Sequence, residues 1–111
     1  MEINIKLNKN ENEILNVFNN SIQLNIEQLC NMGTFLNKAK QYNDFNVVKN
    51  KKNVLCAINY NLDDNNNYWM VLTKSYEFID IMIPITLDLN NGKNFEDLKP
   101  EVVDIIKTIT S

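Results

Sequence analysis

The sequence predicts an α+β fold in which a mostly antiparallel sheet carries helices packed on one face. From residue 45 the apolar side chains recur with a period of two, which is typical of strands. In residues 8–36, and again from Pro100 onward, they recur at helical spacing. Short segments rich in Asn, Asp and Lys separate the strand-like segments, as expected of turns. The predicted order is strand, two helices, four strands and a helix, in one domain spanning residues 1–111.

The N-terminal third predicts one strand and two helices. Residues 2–7 (EINIKL) alternate between apolar and polar side chains, as in a strand with one wet face. Asn10 is the predicted cap of the first helix, whose apolar stripe comprises Ile14, Leu15, Phe18 and Ile22. The second helix begins after Asn25, which has capping-box spacing with Gln28. Its predicted buried stripe comprises Ile26, Leu29, Met32 or Gly33, and Leu36.

The remainder predicts four strands and a final helix. The strands are expected at 45–48, 53–61, 68–74 and 76–89. The second of these has apolar residues at both parities, which favours a central position in the sheet. Pro84 cannot donate to a strand ladder, so the last strand lies at an edge or bends there. A turn at 90–93 and an irregular bridge at 95–98 lead to a helix opened by Pro100, with Val102, Ile105, Ile106 and Ile109 on its buried side.

Composition excludes several classes of function. The chain has no histidine, which removes imidazole-based nucleophile activation and His-containing zinc sites. It has no arginine and a net charge of −3, so nucleic acid is not an expected partner. The 22 asparagines, with only two residues each of Ala, Gly and Pro, indicate an AT-rich genome, bacterial or phage.

The two cysteines and the absence of long apolar runs indicate in which cellular compartment the protein is expected. Cys30 and Cys56 lie in apolar surroundings and belong to no CxxC pair, so buried free thiols are expected in preference to a disulfide or a metal site. The N-terminus has no signal-peptide pattern, and no apolar run is long enough to span a bilayer. The expected location is the cytoplasm, with no membrane partner and no cofactor.

The segment DDNNN (63–67) is the strongest candidate for a metal loop. Asp63, Asn65 and Asn67 fit positions one, three and five of a calcium-binding loop. However, Tyr68 stands where the loop needs glycine, and Lys74 stands where it needs a bidentate glutamate. The segment is therefore predicted to be a hairpin turn.

An aromatic and polar cluster is the best candidate site. If helices cover the isoleucine face, then Phe78, Asp80 and Met82 lie on the open face with Tyr68 or Trp69. Aromatic and Met side chains with a polar border are typical of a protein interface, and the alternative is a small second core. Tyr68, Trp69, Phe78, Asp80 and Met82 are the predicted partner-binding residues.

Two hypotheses for function follow. The first is a small, non-catalytic protein-interaction module, an inhibitor or adaptor in the style of immunity proteins, antitoxins or phage counter-defence proteins. Its partner is another protein, or a second copy that forms a homodimer through the sheet edge or the open face. The second is a ligand-binding or enzymatic domain with a pocket between helices and sheet, which uses carboxylates such as Glu77 and Asp80 together with tyrosines.

Overall fold

The fold is α+β, as predicted. A computed structural model describes residues 9–19, 23–86 and 99–111. The elements within these ranges are α1 (Lys9–Phe18), α2 (Ile26–Ala39), β1 (Asn46–Lys51), β2 (Val54–Tyr60), β3 (Asn66–Thr73), β4 (Phe78–Pro84) and α3 (Pro100–Thr110). The predicted strand at 2–7, the turn at 90–93 and the bridge at 95–98 lie outside the described residues, as do Ile22 and the last residues of the strand predicted at 76–89.

The four strands form an antiparallel sheet in chain order, β1-β2-β3-β4. Each connection is therefore a hairpin. Two asparagines next to the β1–β2 turn, Asn50 and Asn53, have left-handed backbone (φ 54° and 60°). Asparagine tolerates this region better than most residues, so the amide-rich segments fit the tight turns of the sheet.

Helices cover both faces of this sheet, so the prediction of helices on one face was wrong. On one face, α3 packs Ile105, Ile106 and Ile109 against Val71 and Ile81 of the sheet. On the other face, α1 and α2 bury side chains against apolar residues of the middle strands: Ile14, Phe35 and Ala39 against Cys56, Ile58, Met70 and Leu72. Successive strand residues point to opposite faces, and β2 and β3 are apolar at both parities, so each face needs its own cover.

A β-bulge in β2 changes which face Val54 occupies. Plain alternation places Val54 with Cys56 and Ile58, but the register of β2 against β3 shifts between Val54 and Cys56. Val54 and Ala57 consequently lie in the core beneath α3, whereas Cys56 and Ile58 lie beneath α1 and α2. An extra residue in one strand has this effect because it resets the alternation.

Helix α2 is rotated relative to the predicted stripe. Its capping box is present: the Asn25 side chain accepts from the Gln28 N–H at 2.8 Å, and the Gln28 side chain accepts from the Asn25 N–H at 3.0 Å. Its fully buried residues are Phe35 and Ala39, and the Phe35 ring makes edge contacts with Phe18 at 6.1 Å and Phe78 at 6.4 Å between ring centroids. Packing around Phe35 sets the rotation of the helix.

Three residues of the predicted stripe therefore face away from the sheet. Ile26 is 81% exposed, Leu29 is 54% exposed, and Gly33 is exposed as well. Cys30 lies on the same side and is an exposed free thiol, so its predicted burial was wrong. Cys56 is buried and free, as predicted.

Helix α3 follows its predicted stripe, and α1 does so in part, since Ile14 and Phe18 pack in the core with Val17 in place of Leu15. In α3, Pro100 is the first residue, and the isoleucines of the stripe are buried. In α1, Ile14 is buried, but Asn10 does not cap the helix, which begins at Lys9. The Asn10 amide instead donates to the Phe45 carbonyl at 2.6 Å and ties α1 to the start of β1.

Candidate partner-binding surface

Four of the five predicted partner-binding residues share one face of the sheet. The cross-strand pairs of β3 and β4 are Leu72 with Phe78, Met70 with Asp80, and Tyr68 with Met82. All six of these positions have the same parity, so their side chains lie on the face that carries α1 and α2. Tyr68, Phe78, Asp80 and Met82 are therefore neighbours. The sequence left Tyr68 and Trp69 as alternatives for this face and expected the face to be open, whereas α1 and α2 cover part of it.

The fifth predicted residue, Trp69, lies on the opposite face. Only 9% of it is exposed, it pairs with Ile81 on β4, and it belongs to the core packed beneath α3. Its parity places it on the isoleucine face beneath α3, so it does not share a surface with the other four residues. Trp69 is a core residue.

Phe78 forms the inner boundary of the surface. Its side chain is half-buried and packs edge-on against Phe35. The ammonium group of Lys38 lies 5.1 Å from the centroid of its ring. Most of its contacts are thus within the protein.

Three stacked tyrosines continue from the end of α2 across the sheet. The ring centroids of Tyr42 and Tyr60 lie 4.3 Å apart, and those of Tyr60 and Tyr68 lie 5.5 Å apart, with interplanar angles of 24° and 25°. Tyr60 and Tyr68 are cross-strand partners. This pairing can be predicted from the sequence because only a short loop joins their strands. Tyr42 follows α2 in an irregular segment, and no periodic signal in the sequence indicates that it joins the other two.

Asp80 is held between a tyrosine and a lysine at the edge of this stack. Its Oδ1 accepts from the Tyr60 hydroxyl at 3.3 Å, and its Oδ2 lies 3.6 Å from the Lys38 ammonium. Burial of the phenol, followed by the negative charge of Asp80 and the neighbouring Tyr42, raises the pKa of Tyr60. Tyr60 therefore stays a protonated hydrogen-bond donor at neutral pH and fixes the orientation of a carboxylate that remains half exposed.

The outer part of the surface is apolar and open. Met82 is 57% exposed beside Tyr68, and Ile85, just beyond β4, is 54% exposed. The Ile85 N–H donates to the Asn65 carbonyl at 3.0 Å, which holds the end of β4 against the β2–β3 loop, where Leu62 is 62% exposed. We call Tyr68, Asp80 and Met82 the β4 surface.

The DDNNN segment is a hairpin loop, as predicted, and it supports the β4 surface. The Asp63 carboxylate accepts from the Asn65 N–H at 2.8 Å, from the Asn66 side chain at 3.0 Å and from the Tyr68 hydroxyl. The hydrogen bond from Tyr68, followed by those from Asn65 and Asn66, lowers the pKa of Asp63. Asp63 therefore anchors the hydroxyl of Tyr68 and leaves the ring as part of the surface.

The predicted ligand pocket with shared carboxylates is not assembled. Glu77 lines an open groove of about 1160 Å³ between α3 and the turns of the sheet, together with Lys51, Lys74 and Lys107. Asp80 lies on the other face, with Lys38 and Tyr60. Residues 9–19, 23–86 and 99–111 contain no group of three or more His, Cys, Asp or Glu residues placed to hold a metal ion.

Comparisons with known proteins give no family for this fold and surface. The chain matches no protein-family model, no curated protein and no solved structure. Among the helices in the described part of the chain, none has the length and apolar character needed to cross a membrane.

Proposed function

We propose that this chain is a small protein-interaction module, an inhibitor or adaptor that covers a surface of another protein with its β4 surface. The observation that carries the proposal is the exposure of Met82, at 57%, between Tyr68 and the half-exposed Asp80. Helices cover the middle of the sheet on both faces, whereas the C-terminal end of β4 exposes apolar side chains to solvent.

The composition of the β4 surface suits recognition of a protein. Met adapts to different partner shapes, and tyrosine supplies a large contact area at low cost in conformational entropy. Tyr68 is held by Asp63, and Asp80 is held by Tyr60 and Lys38, so both polar groups are ordered before a partner arrives. Preorganised polar groups around an apolar centre raise affinity because less ordering is needed on binding.

A non-catalytic role fits the chemistry on this surface. The chain has no histidine, and Asp80 is engaged by a lysine and a tyrosine with no second carboxylate among its contacts. The asparagine-rich, alanine-poor composition favours an AT-rich bacterial or phage source, and the net charge of −3 favours a protein partner over nucleic acid. We place the protein in the cytoplasm because neither of its cysteines forms a disulfide.

The test is affinity capture with a matched pair of variants. Tagged wild-type protein, Met82→Glu and Asn46→Glu are each incubated at low salt with lysate of a low-GC bacterium, and the bound proteins are quantified by mass spectrometry. Asn46 is exposed on β1, at the opposite side of the described sheet, and its change to glutamate alters the charge as Met82→Glu does. We expect one protein in a fixed ratio with wild type and Asn46→Glu, and its loss with Met82→Glu.

Circular dichroism and thermal unfolding of both variants must show that they remain folded. Capture that survives Met82→Glu in a folded variant would contradict the proposal. Failure to capture any protein in a fixed ratio with the wild type would contradict it too.

A further inference from the structure

The groove between α3 and the turns of the sheet is a second surface, which we call the α3 groove. Its volume is about 1160 Å³, and none of the three residues of the β4 surface lines it. Lys99 and Ser111, which flank α3, both line it, so the groove follows the whole helix. The 11 residues of α3 span about 16 Å, which is the length of about five residues of extended chain. The α3 groove is therefore long enough for a short extended peptide.

Lysine is concentrated along the α3 groove. Five of the 11 lysines of the chain line it, and all five are exposed: Lys51, Lys52, Lys74, Lys99 and Lys107. Three carboxylates line it too, so its side chains carry a surplus of two positive charges in a chain whose net charge is −3. The one ion pair within the described residues joins Lys38 to Asp80, so no carboxylate there neutralises the lysines of the groove at contact distance. Such a group of cations attracts an anionic partner.

Backbone hydrogen bonds hold three of these lysines together at one end of the sheet. The Lys74 N–H donates to the Asn53 carbonyl at 3.0 Å and so joins the β3–β4 turn to the β1–β2 turn, which carries the lysines at 51–52. The β3–β4 turn is fixed in its own right, because the Thr73 hydroxyl accepts from the Glu77 N–H at 3.0 Å. The backbone that carries the cations is therefore ordered before a ligand arrives, which lowers the entropic cost of binding.

The floor of the α3 groove is apolar. Ile79 and Val102 are half-buried, Ile105 is buried, and all three belong to the core beneath α3. A bare phosphate leaves such a floor in contact with water, whereas a peptide places an apolar side chain on it and carboxylates against the lysines. The carboxylates of Glu101 and Asp104 on the rim also oppose a uniform polyanion such as nucleic acid. The combination favours an acidic peptide that contains apolar side chains.

We propose that the α3 groove binds an extended, acidic segment of another protein. The carboxylates of the segment pair with the lysines of the rim, and an apolar side chain packs on Ile79 and Val102. Ion pairs of exposed lysines are individually weak, so the binding is reversible and sensitive to salt. The proposal does not rest on the function proposed for the β4 surface, since the two surfaces share no residue.

Fluorescence anisotropy with a synthetic hexapeptide tests the proposal. The probe is a fluorescein-labelled peptide of alternating glutamate and leucine. Two control peptides have glutamine in place of glutamate, or serine in place of leucine. We expect saturable binding of the glutamate–leucine peptide to wild type, at least about tenfold tighter than that of either control, because the groove recognises charge and apolar surface together. Raising the salt from low to physiological concentration is expected to weaken the binding, because it screens exposed charges.

Lys74→Glu locates the binding in the groove. It reverses a charge on the rim and keeps the backbone hydrogen bond of residue 74 to Asn53. We expect it to raise the dissociation constant at least about fivefold, since attraction is replaced by repulsion. The matched control is Lys40→Glu, which reverses an exposed lysine at the end of α2, on the other face of the sheet, and is expected to leave binding unchanged. Met82→Glu, on the β4 surface, is expected to leave it unchanged as well.

Thermal unfolding of the variants must show that they remain folded. Three results would overturn the proposal: no saturable binding of the glutamate–leucine peptide, equal binding of the glutamine–leucine peptide, or unchanged binding by folded Lys74→Glu. Equal weakening by Lys40→Glu would overturn it too, because the effect would then follow net charge alone. Equal binding of the glutamate–serine peptide, with displacement by inorganic tripolyphosphate, would mean a simple anion site and no peptide groove. Loss of binding in folded Met82→Glu would place the peptide on the β4 surface and would likewise contradict the proposal.

Discussion

The hydroxyl of Tyr60 donates to the carboxylate of Asp80 at 3.3 Å and so joins β2 to β4 across the strand between them. Lys38 of α2 lies 3.6 Å from the other oxygen of the same carboxylate. Asp80 therefore connects a helix and two non-adjacent strands at the boundary between the covered and the open parts of the sheet. Its environment decides which changes at this surface affect stability and which affect binding alone.

Removing the charge of Asp80 should cost little stability. The side chains of Lys38 and Asp80 are 42% and 46% exposed, and pairs this exposed typically contribute about 0–1 kcal/mol because water screens them. In urea denaturation, Asp80→Asn is therefore expected to lower the free energy of unfolding by less than about 1 kcal/mol. A loss above about 3 kcal/mol, the size seen when a buried pair is broken, would show that Asp80 is structural and would weaken its assignment to the partner surface.

Stability should fall at alkaline pH through Tyr60. Its pKa is raised above the ordinary value of 10.0, chiefly by burial and then by Asp80. The folded state therefore holds the phenolic proton more tightly than the unfolded state does. The resulting contribution is complete below pH 10.0, the ordinary value, and is lost progressively as the pH rises above it.

Comparison with Tyr60→Phe isolates this effect. Urea denaturation of wild type and variant across the alkaline range is expected to give a free-energy difference that shrinks as the pH rises, because only the wild type has the titrating phenol. A difference that does not change with pH would mean that the Tyr60 hydroxyl ionises in the folded protein as it does in water.

The two cysteines should differ sharply in reactivity. Burial raises the pKa of the Cys56 thiol to about 12, so almost no thiolate is present near neutral pH, whereas Cys30 is exposed on α2. A chromogenic disulfide reagent is expected to titrate one thiol in the native protein and two in denaturant. Cys30→Ser should give none in the native state. Rapid reaction of both thiols in the native wild type would contradict the burial of Cys56.

Trp69 and Met82 should respond oppositely to truncation. Trp69→Ala opens a cavity beneath α3 and is expected to cost about 3–5 kcal/mol of stability, since Trp69 is only 9% exposed. Met82→Ala removes a side chain that is 57% exposed and is expected to change stability by about 0.5 kcal/mol or less. Chemical denaturation of both variants checks this, and equal losses would contradict the assignment of Trp69 to the core and Met82 to the surface.

Much of the fold could be predicted from local signals in the sequence. The capping box of Asn25 and Gln28 and Pro100 at the start of α3 depend on neighbouring residues alone, and both were predicted. The hairpin at DDNNN was predicted for the same reason. The grouping of Tyr68, Phe78, Asp80 and Met82 on one face was also readable, because alternation along paired strands fixes parity.

The features that could not be predicted from the sequence depend on tertiary packing. Parity shows that Trp69 and Met82 point to opposite faces, but not that α3 covers one face and α1 with α2 the other. Helix α2 has apolar residues around most of its circumference, so only the packing around Phe35 decides that Ile26 and Leu29 face outward. Tyr42 joins the tyrosine stack from an irregular segment, where no period exists to indicate it.

The measurement that most directly tests the β4 surface as a partner-binding site is the rate of methionine oxidation, free and in the captured complex. Dilute hydrogen peroxide is applied, and each methionine is followed by mass spectrometry. In the free protein Met82, at 57% exposure, should oxidise quickly, while Met70, at 0%, serves as the internal control and should not. The proposal predicts strong protection of Met82 in the complex with Met70 unchanged, whereas oxidation of Met82 at its free rate in a stoichiometric complex would contradict it.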